Sequence, residues 1–187
     1  MLSFTTDVRM EKLQEINSRS GHAVEAVFWL RDMATQWRVK GLAFGIGAAR
    51  EEEGEQTARA EIKKAMRVKA GSEEGSQSTW SWEREVTTYF ANHTPVMRGS
   101  FKNPPPGRPR SEIPSDPALK LGQKVEDLHD PVARKNFRVV VIRPVEVDRL
   151  DLADYEQPRR WKWRLTNADS VYDGDESGDW EEVELWP

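Results

Sequence analysis

The 187-residue sequence has no cysteine, which excludes disulfide bonds, thiolate metal sites and a cysteine nucleophile. It has no apolar run that approaches the roughly 20 residues needed to span a bilayer. The first residues also lack the basic start and the apolar stretch of a signal peptide. Together these absences favour a soluble cytoplasmic protein.

An excess of positive charge is lacking too, because 28 lysines and arginines face 32 aspartates and glutamates, for a net charge of −4. This balance gives no reason to expect nucleic acid as the main partner. The histidines, His22, His93 and His129, have no metal-ligand spacing, and no serine lies in a nucleophile elbow. Gly45 and Gly47 lack the third glycine of a dinucleotide loop. Hydrolase, metalloenzyme and dinucleotide-binding functions therefore have no support.

What the sequence does contain is eight tryptophans, in a chain that is 37% hydrophobic and 32% charged. Disordered chains are poor in aromatic residues, and each buried indole removes a large apolar area from water. The length also suits one domain with a single core. A folded, single-domain protein is therefore predicted.

The order of predicted elements indicates a mainly β or α+β fold. Strand-like patterns occur at residues 2–6, 23–31, 36–47, 137–147, 160–165 and 180–186. Helical spacing occurs at residues 9–18, 55–69 and 79–92. The almost wholly apolar segment 23–31 is typical of a strand covered on both faces. A helical, charged insertion is expected at about residues 50–92 and a proline-rich loop at about 102–118.

The sharpest local feature is the alternation of Arg160, Lys162 and Arg164 with Trp161 and Trp163. On a strand, the three cations share one face and the two indoles share the other. Neighbouring cations repel one another unless an anion lies close by, which suggests a phosphate or carboxylate site. A solvated sheet face is the interpretation that the residues alone favour. Stacking of nucleic-acid bases on the indoles is a third, less favoured alternative.

Other polar features have ordinary explanations when taken alone. Gln36, Arg38 and Lys40 share one predicted strand face, and Lys12 lies on a predicted helix; a solvated surface accounts for all four. The acidic segment 173–184 approaches an EF-hand loop, but a strand-like segment precedes it, so an acidic turn is predicted.

A resemblance emerges when several segments are taken in order along the chain. Phe4-Thr-Thr-Asp7 with the following Lys12 looks like an F-x-T-[ND] strand before a basic helix start. Residues 35–41 (TQWRVKG) look like a second strand with an R-Q-V-x-V-x-G pattern. The remaining segments are residues 97–107, 133–141, 147–152, 159–161 and 180–187. Together they resemble the FMN-binding domain branch of the pyridoxamine 5'-phosphate oxidase-like family.

The resemblance implies an FMN-binding split β-barrel with peripheral helices, from which the first strands are missing. It further implies a single partial domain over residues 1–187, a homodimer with FMN between the subunits, and a flavin-dependent oxidoreductase acting on a small molecule. The site residues that it implies are Thr5, Thr6, Lys12, Gln36 and Arg164 for FMN, and Arg160 and Lys162 for the substrate.

Two departures from the family pattern leave alternatives open. Lys162 stands where the oxidases carry histidine, which argues against pyridoxamine 5'-phosphate as the substrate. The family also has a basic strand before the position of Phe4 that contributes phosphate contacts. The alternatives are a non-catalytic split-barrel binding module that has lost flavin, and a nucleic-acid binder that uses residues 160–164.

Overall fold

The computed structural model describes residues 1–18, 22–47, 53–66, 80–166 and 179–187. Within these ranges, six strands form one sheet: β1 (Leu2–Asp7), β2 (Ala23–Leu30), β3 (Thr35–Ile46), β4 (Phe137–Asp151), β5 (Arg159–Leu165) and β6 (Trp180–Leu185). The helices there are α1 (Glu11–Ser18), α2 (Glu53–Lys64), α3 (Trp82–Ala91), α4 (Pro95–Ser100) and α5 (Pro131–Asn136). The α+β fold class predicted from the sequence is confirmed.

The strands follow the order β2-β3-β4-β5-β6, and β1 pairs with β4. The pairs β2–β3, β4–β5 and β5–β6 are antiparallel. Residues 71–78 of the predicted insertion and the predicted acidic turn at 173–178 lie outside the described residues. No helix within the described residues is long and apolar enough to cross a membrane.

The predicted hairpin between β2 and β3 is confirmed. A single 3-10 turn, Arg31–Met33, links the strands, and Ala34 closes it in the left-handed region at φ 45°. The prediction that β2 is covered on both faces is wrong. Val27 and Trp29 on one face are 53% and 51% exposed, and Phe28 and Leu30 on the other are 43% and 41% exposed, so neither face of this edge strand is covered within the described residues.

Two compact units make up the chain. The sheet unit contains residues 1–2, 18–43 and 142–187, and the helical unit contains residues 3–17 and 44–141. The single partial domain expected from the sequence stays a prediction.

The core of the helical unit is an aromatic cluster. The rings of Phe90, Phe101 and Phe137 lie 5.1–6.2 Å apart, and all three side chains are buried. Phe137 meets both of the other rings edge to face, an arrangement that the ring quadrupoles favour. His93 packs its ring against Phe101 and Phe137. This packing fixes the end of α3 beside β1.

In the sheet unit, one face of the sheet carries an aromatic ladder, which consists of Trp37, Trp161 and Trp163 together with Arg149. Trp37 and Trp163 stack with their ring centroids 6.0 Å apart. The guanidinium of Arg149 lies 5.6 Å from the ring of Trp37 and 5.0 Å from that of Trp161, at cation–π distance. The ladder therefore joins β3, β4 and β5, and the opposite face carries Arg160, Lys162 and Arg164 of β5.

Candidate functional site

A cavity of about 700 Å³ lies in the helical unit beside β1. Its lining includes Thr5, Thr6, Arg9, His93, Met97, Ser100, Asn103, the prolines at 104–106 and Ile113. Small-molecule pockets commonly measure about 300–1,000 Å³ and have mostly apolar walls with a few polar groups. Both the volume and the mixture of prolines with hydroxyl and imidazole groups meet that description.

The alternation of β1 sends Thr5 and Thr6 to opposite faces of the strand. The Thr5 Oγ1 lies 3.0 Å from the Nε2 of His93, while the Nδ1 of His93 lies 2.9 Å from the carbonyl oxygen of Tyr89. A carbonyl oxygen only accepts, so in the neutral ring Nδ1 carries the proton and Nε2 accepts from Thr5. Because the only hydroxyl proton of Thr5 is then used, Thr5 can accept a hydrogen bond from a ligand but not donate one.

Arg9 lines the cavity, yet its guanidinium is held within the protein. Its Nε and Nη2 donate to Asp7 at 2.9 and 2.6 Å, and its Nη1 donates to the carbonyl oxygen of Asn103 at 2.9 Å. These bonds fasten the turn after β1 to the proline-rich loop. Arg9 therefore stabilises the cavity wall and has little capacity left for a ligand anion.

Lys12 differs from Arg9 because its charge is available. The Lys12 ammonium lies 5.8 Å from the centroid of the Phe4 ring, and Lys12 is exposed on α1. Among the described residues, no carboxylate lies within 4 Å of it. Phe4 and Thr6 share one face of β1, so Lys12 places an unpaired positive charge on that face.

The cations of β5 lie in the sheet unit, on one face as predicted. The register pairs Arg164 with Glu146 and Lys162 with Asp148 on β4. Arg160 binds Asp148 through two donors at 2.8–3.1 Å. The sequence pattern suggested an anion close to these cations. In the structure, the carboxylates of Glu146 and Asp148 on β4 are that anion.

Glu146 is the centre of this charge cluster. Its carboxylate lies 3.0 Å from Lys40, 3.4 Å from Lys162 and 2.9 Å from Arg164. Burial opposes its ionisation, but the hydrogen bonds from Lys40 and Arg164 and the charge of Lys162 outweigh that effect. The pKa of Glu146 is consequently lowered to about 2. Glu146 is therefore negatively charged across the whole range of physiological pH.

Gln36 lies on β3, on the same face as Arg38 and Lys40. Its Oε1 accepts a hydrogen bond from the Nε of Arg38 at 2.9 Å, and Arg38 also lies 3.6 Å from Glu25. This contact orients the Gln36 amide and leaves its N–H groups as the donors for a ligand.

The structure thus brings the predicted residues together in two groups. Thr5 and Thr6 line one cavity, and Lys12 follows on the next helix of the same unit. The group in the sheet unit consists of Gln36, Arg160, Lys162 and Arg164. Sequence reasoning missed Glu146, Asp148 and His93, although the two carboxylates alternate along β4 as the cations do along β5.

The first 47 residues carry a family signature. The family model for the pyridoxamine 5'-phosphate oxidase, FMN-binding domain, matches residues 1–47. The chain resembles this FMN-binding family. The matched segment contains Thr5, Thr6, Lys12 and Gln36, whereas the cations of β5 lie beyond it.

Two solved structures resemble the fold of the whole chain. One is a pyridoxamine 5'-phosphate oxidase-related, FMN binding protein from Nostoc punctiforme PCC 73102, at 19% identity and a TM-score of 0.59, covering 100% of this chain and 73% of that chain. The other is PhzG from Burkholderia lata 383 in complex with tetrahydrophenazine-1-carboxylic acid, at 13% identity and a TM-score of 0.50, covering 99% and 68%. At these identities the likeness concerns the fold alone. A search of curated proteins finds no significant match.

Proposed function

We propose that this chain binds FMN and acts as a flavin-dependent oxidoreductase on a small-molecule substrate. The observation that carries the proposal is that the segment matched by the FMN-binding family model forms one wall of the cavity beside β1. That segment also supplies Lys12, a cation with no carboxylate partner among the described residues. When FMN is bound, its isoalloxazine supplies the redox chemistry, and the protein supplies binding and orientation.

The donors and acceptors of the helical unit fit different parts of FMN. A phosphate needs a cation, and Lys12 is available where Arg9 is not. The ribityl chain carries hydroxyl groups that donate, and the lone pairs of the Thr5 Oγ1 can accept from them while, with a neutral His93 ring, its proton is directed to Nε2. We assign the ribityl chain to Thr5 and Thr6 in the cavity wall. Lys12 lies outside the cavity lining, on the face of β1 that carries Phe4, and its assignment to the phosphate rests on the family pattern and on its available charge.

The roles of the candidate residues in the sheet unit, which are to bind FMN or the substrate, stay predictions. Gln36 is the predicted donor to the isoalloxazine, and its free amide N–H groups support that role. Arg164 was predicted for FMN, and Arg160 and Lys162 for the substrate. All three already hold carboxylates of β4, which weakens the case for a ligand anion there.

A titration of FMN against the wild type and Lys12→Ala tests the phosphate assignment. A hydrogen bond to a charged group contributes about 1.5–3 kcal/mol, so we expect Lys12→Ala to weaken FMN binding by roughly tenfold or more. Lys63→Ala, which removes an exposed lysine from α2, is the matched control and should bind FMN like the wild type. An unchanged affinity in Lys12→Ala would rule out this role for Lys12.

The alternative of a flavin-free binding module has one observation in its favour, the internal pairing of the β5 cations with Glu146 and Asp148. The same pairing argues against the nucleic-acid alternative, because cations already neutralised by carboxylates add little net positive charge to neutralise backbone phosphates and release their counterions. A protein that is folded and does not bind added FMN would favour the binding module.

A further inference from the structure

Three cations surround one carboxylate on the charged face of the sheet unit. Lys40 comes from β3, Lys162 and Arg164 come from β5, and Glu146 comes from β4, the strand between them. All three nitrogen–oxygen distances are 3.4 Å or less. Convergence of several cationic donors on one point is the geometry of an oxyanion site.

We call Lys40, Lys162 and Arg164 the cradle, because together they surround the carboxylate of Glu146. The side chain of Glu146 is 14% exposed, whereas those of Lys40 and Arg164 are 52% and 63% exposed. Lys162, at 19% exposed, is nearly as covered as Glu146, so only Lys40 and Arg164 reach solvent while the carboxylate lies beneath them. A tethered anion is always present at a high effective concentration, so a free anion has to displace it to bind.

We propose that Glu146 is a built-in anion that fills the cradle and excludes phosphate groups from this face. A phosphate dianion placed beside Glu146 meets a like charge at close range. Among the described residues, Glu146 forms ion pairs with the cradle cations alone, so it has no other partner that could draw it out of the cradle. Within the proposed oxidoreductase, the inference means that Lys162 does not bind a phosphate group of the substrate; this consequence rests on the proposed function, whereas the filled cradle does not.

Removal of Glu146 should turn the cradle into a phosphate site, which thermal unfolding can detect. Inorganic phosphate is titrated against the wild type and Glu146→Ala, with chloride keeping the ionic strength constant. At ten times its Kd, phosphate should raise the Tm of Glu146→Ala by about 3–6 °C more than that of the wild type. Phosphate bound near Lys12 stabilises both proteins alike, so the difference between them is the readout.

Glu184→Ala is the matched control for loss of a carboxylate. Within the part of the chain that the structure describes, Glu184 pairs with one cation, Arg159, at 2.9 Å on the opposite face, so its removal should produce no extra stabilisation by phosphate. A phosphate shift in Glu146→Ala no larger than that of the wild type would overturn the proposal. If Glu146→Ala does not fold, Glu146→Gln removes the charge with the same shape and is titrated instead. Flavin absorbance, measured on the same samples, reports separately on the proposed function.

Discussion

At the scale of single residues, Glu146 links the ionisation of one carboxyl to the stability of the sheet unit. Its pKa is about 2 in the folded protein, against an ordinary value of 4.5. A lowered folded pKa stabilises the protein above the unfolded pKa, and that stabilisation is lost as the pH falls through the folded value. The relevant window for Glu146 is therefore pH 4.5 down to about 2.

We predict that Glu146→Gln is less stable than the wild type at neutral pH, by up to about 3 kcal/mol. The difference should shrink as the pH falls from 4.5 towards 2, because the wild-type carboxyl becomes protonated. Urea unfolding of both proteins at several pH values in this range measures the difference in their free energies of unfolding. Since the other carboxylates titrate in both proteins, a difference that stays constant with pH would contradict the assignment.

Residue patterns revealed only part of the site. Thr5, Thr6 and Lys12 stood out because they match a short family pattern. His93 was considered only as a metal ligand and dismissed, since nothing in the sequence shows that it meets Thr5 across 88 positions. The partners of the β5 cations were missed for a similar reason: Glu146 and Asp148 join them only through the β4–β5 register.

At the scale of elements, patterns over six or more residues predicted the strands and the longer helices, with ends that differ by a few residues. Helices α4 and α5 were missed because each has only six residues, too few to show a helical period. Their signals were the pairs Thr94-Pro95 and Asp130-Pro131, where the side chain caps the helix and proline occupies its first turn. The exposure of β2 was not predictable, since an apolar strand pattern does not show whether another element packs on its faces.

The docking of α4 gives a prediction at the same scale. A Cβ at Gly99 would collide with the backbone carbonyl of Gln123, and Arg98 donates to the carbonyl oxygen of Val125 at 2.8 Å. The colliding atoms of residue 123 belong to the backbone, which cannot move aside as a flexible side chain can. We therefore expect Gly99→Ala to lower the free energy of unfolding by about 1–3 kcal/mol or more.

Gly54→Ala provides the control for Gly99→Ala in a urea unfolding experiment. Gly54 also lies in a helix, but a Cβ there would meet nothing within 4 Å. Alanine has the higher helix propensity, so this variant should be neutral or slightly stabilised. Equal stabilities for the two variants would show that the contact between α4 and residue 123 is not tight.

At the scale of the whole molecule, the homodimer implied by the family resemblance is a proposal that the exposed edge of β2 supports. Val27, Phe28, Trp29, Leu30 and Met33 are all at least 41% exposed in the single chain. Contiguous exposed apolar side chains and an unpaired edge strand are both features of association surfaces.

We predict that light scattering gives the mass of a dimer for the wild type and that Trp29→Glu shifts the protein towards the monomer. Tyr155→Glu replaces an aromatic that is 85% exposed in the turn after β4 and should remain dimeric. A monomeric wild type at tens of micromolar would refute the homodimer. A dimer that Trp29→Glu leaves intact would place its interface elsewhere.

The measurement that most directly tests the central claim is the absorbance spectrum of the purified chain after incubation with excess FMN and desalting. The proposed function predicts retained flavin bands at close to one FMN per chain, with Lys12→Ala retaining less. A colourless wild-type protein whose circular dichroism shows that it is folded would contradict the claim and favour the flavin-free binding module.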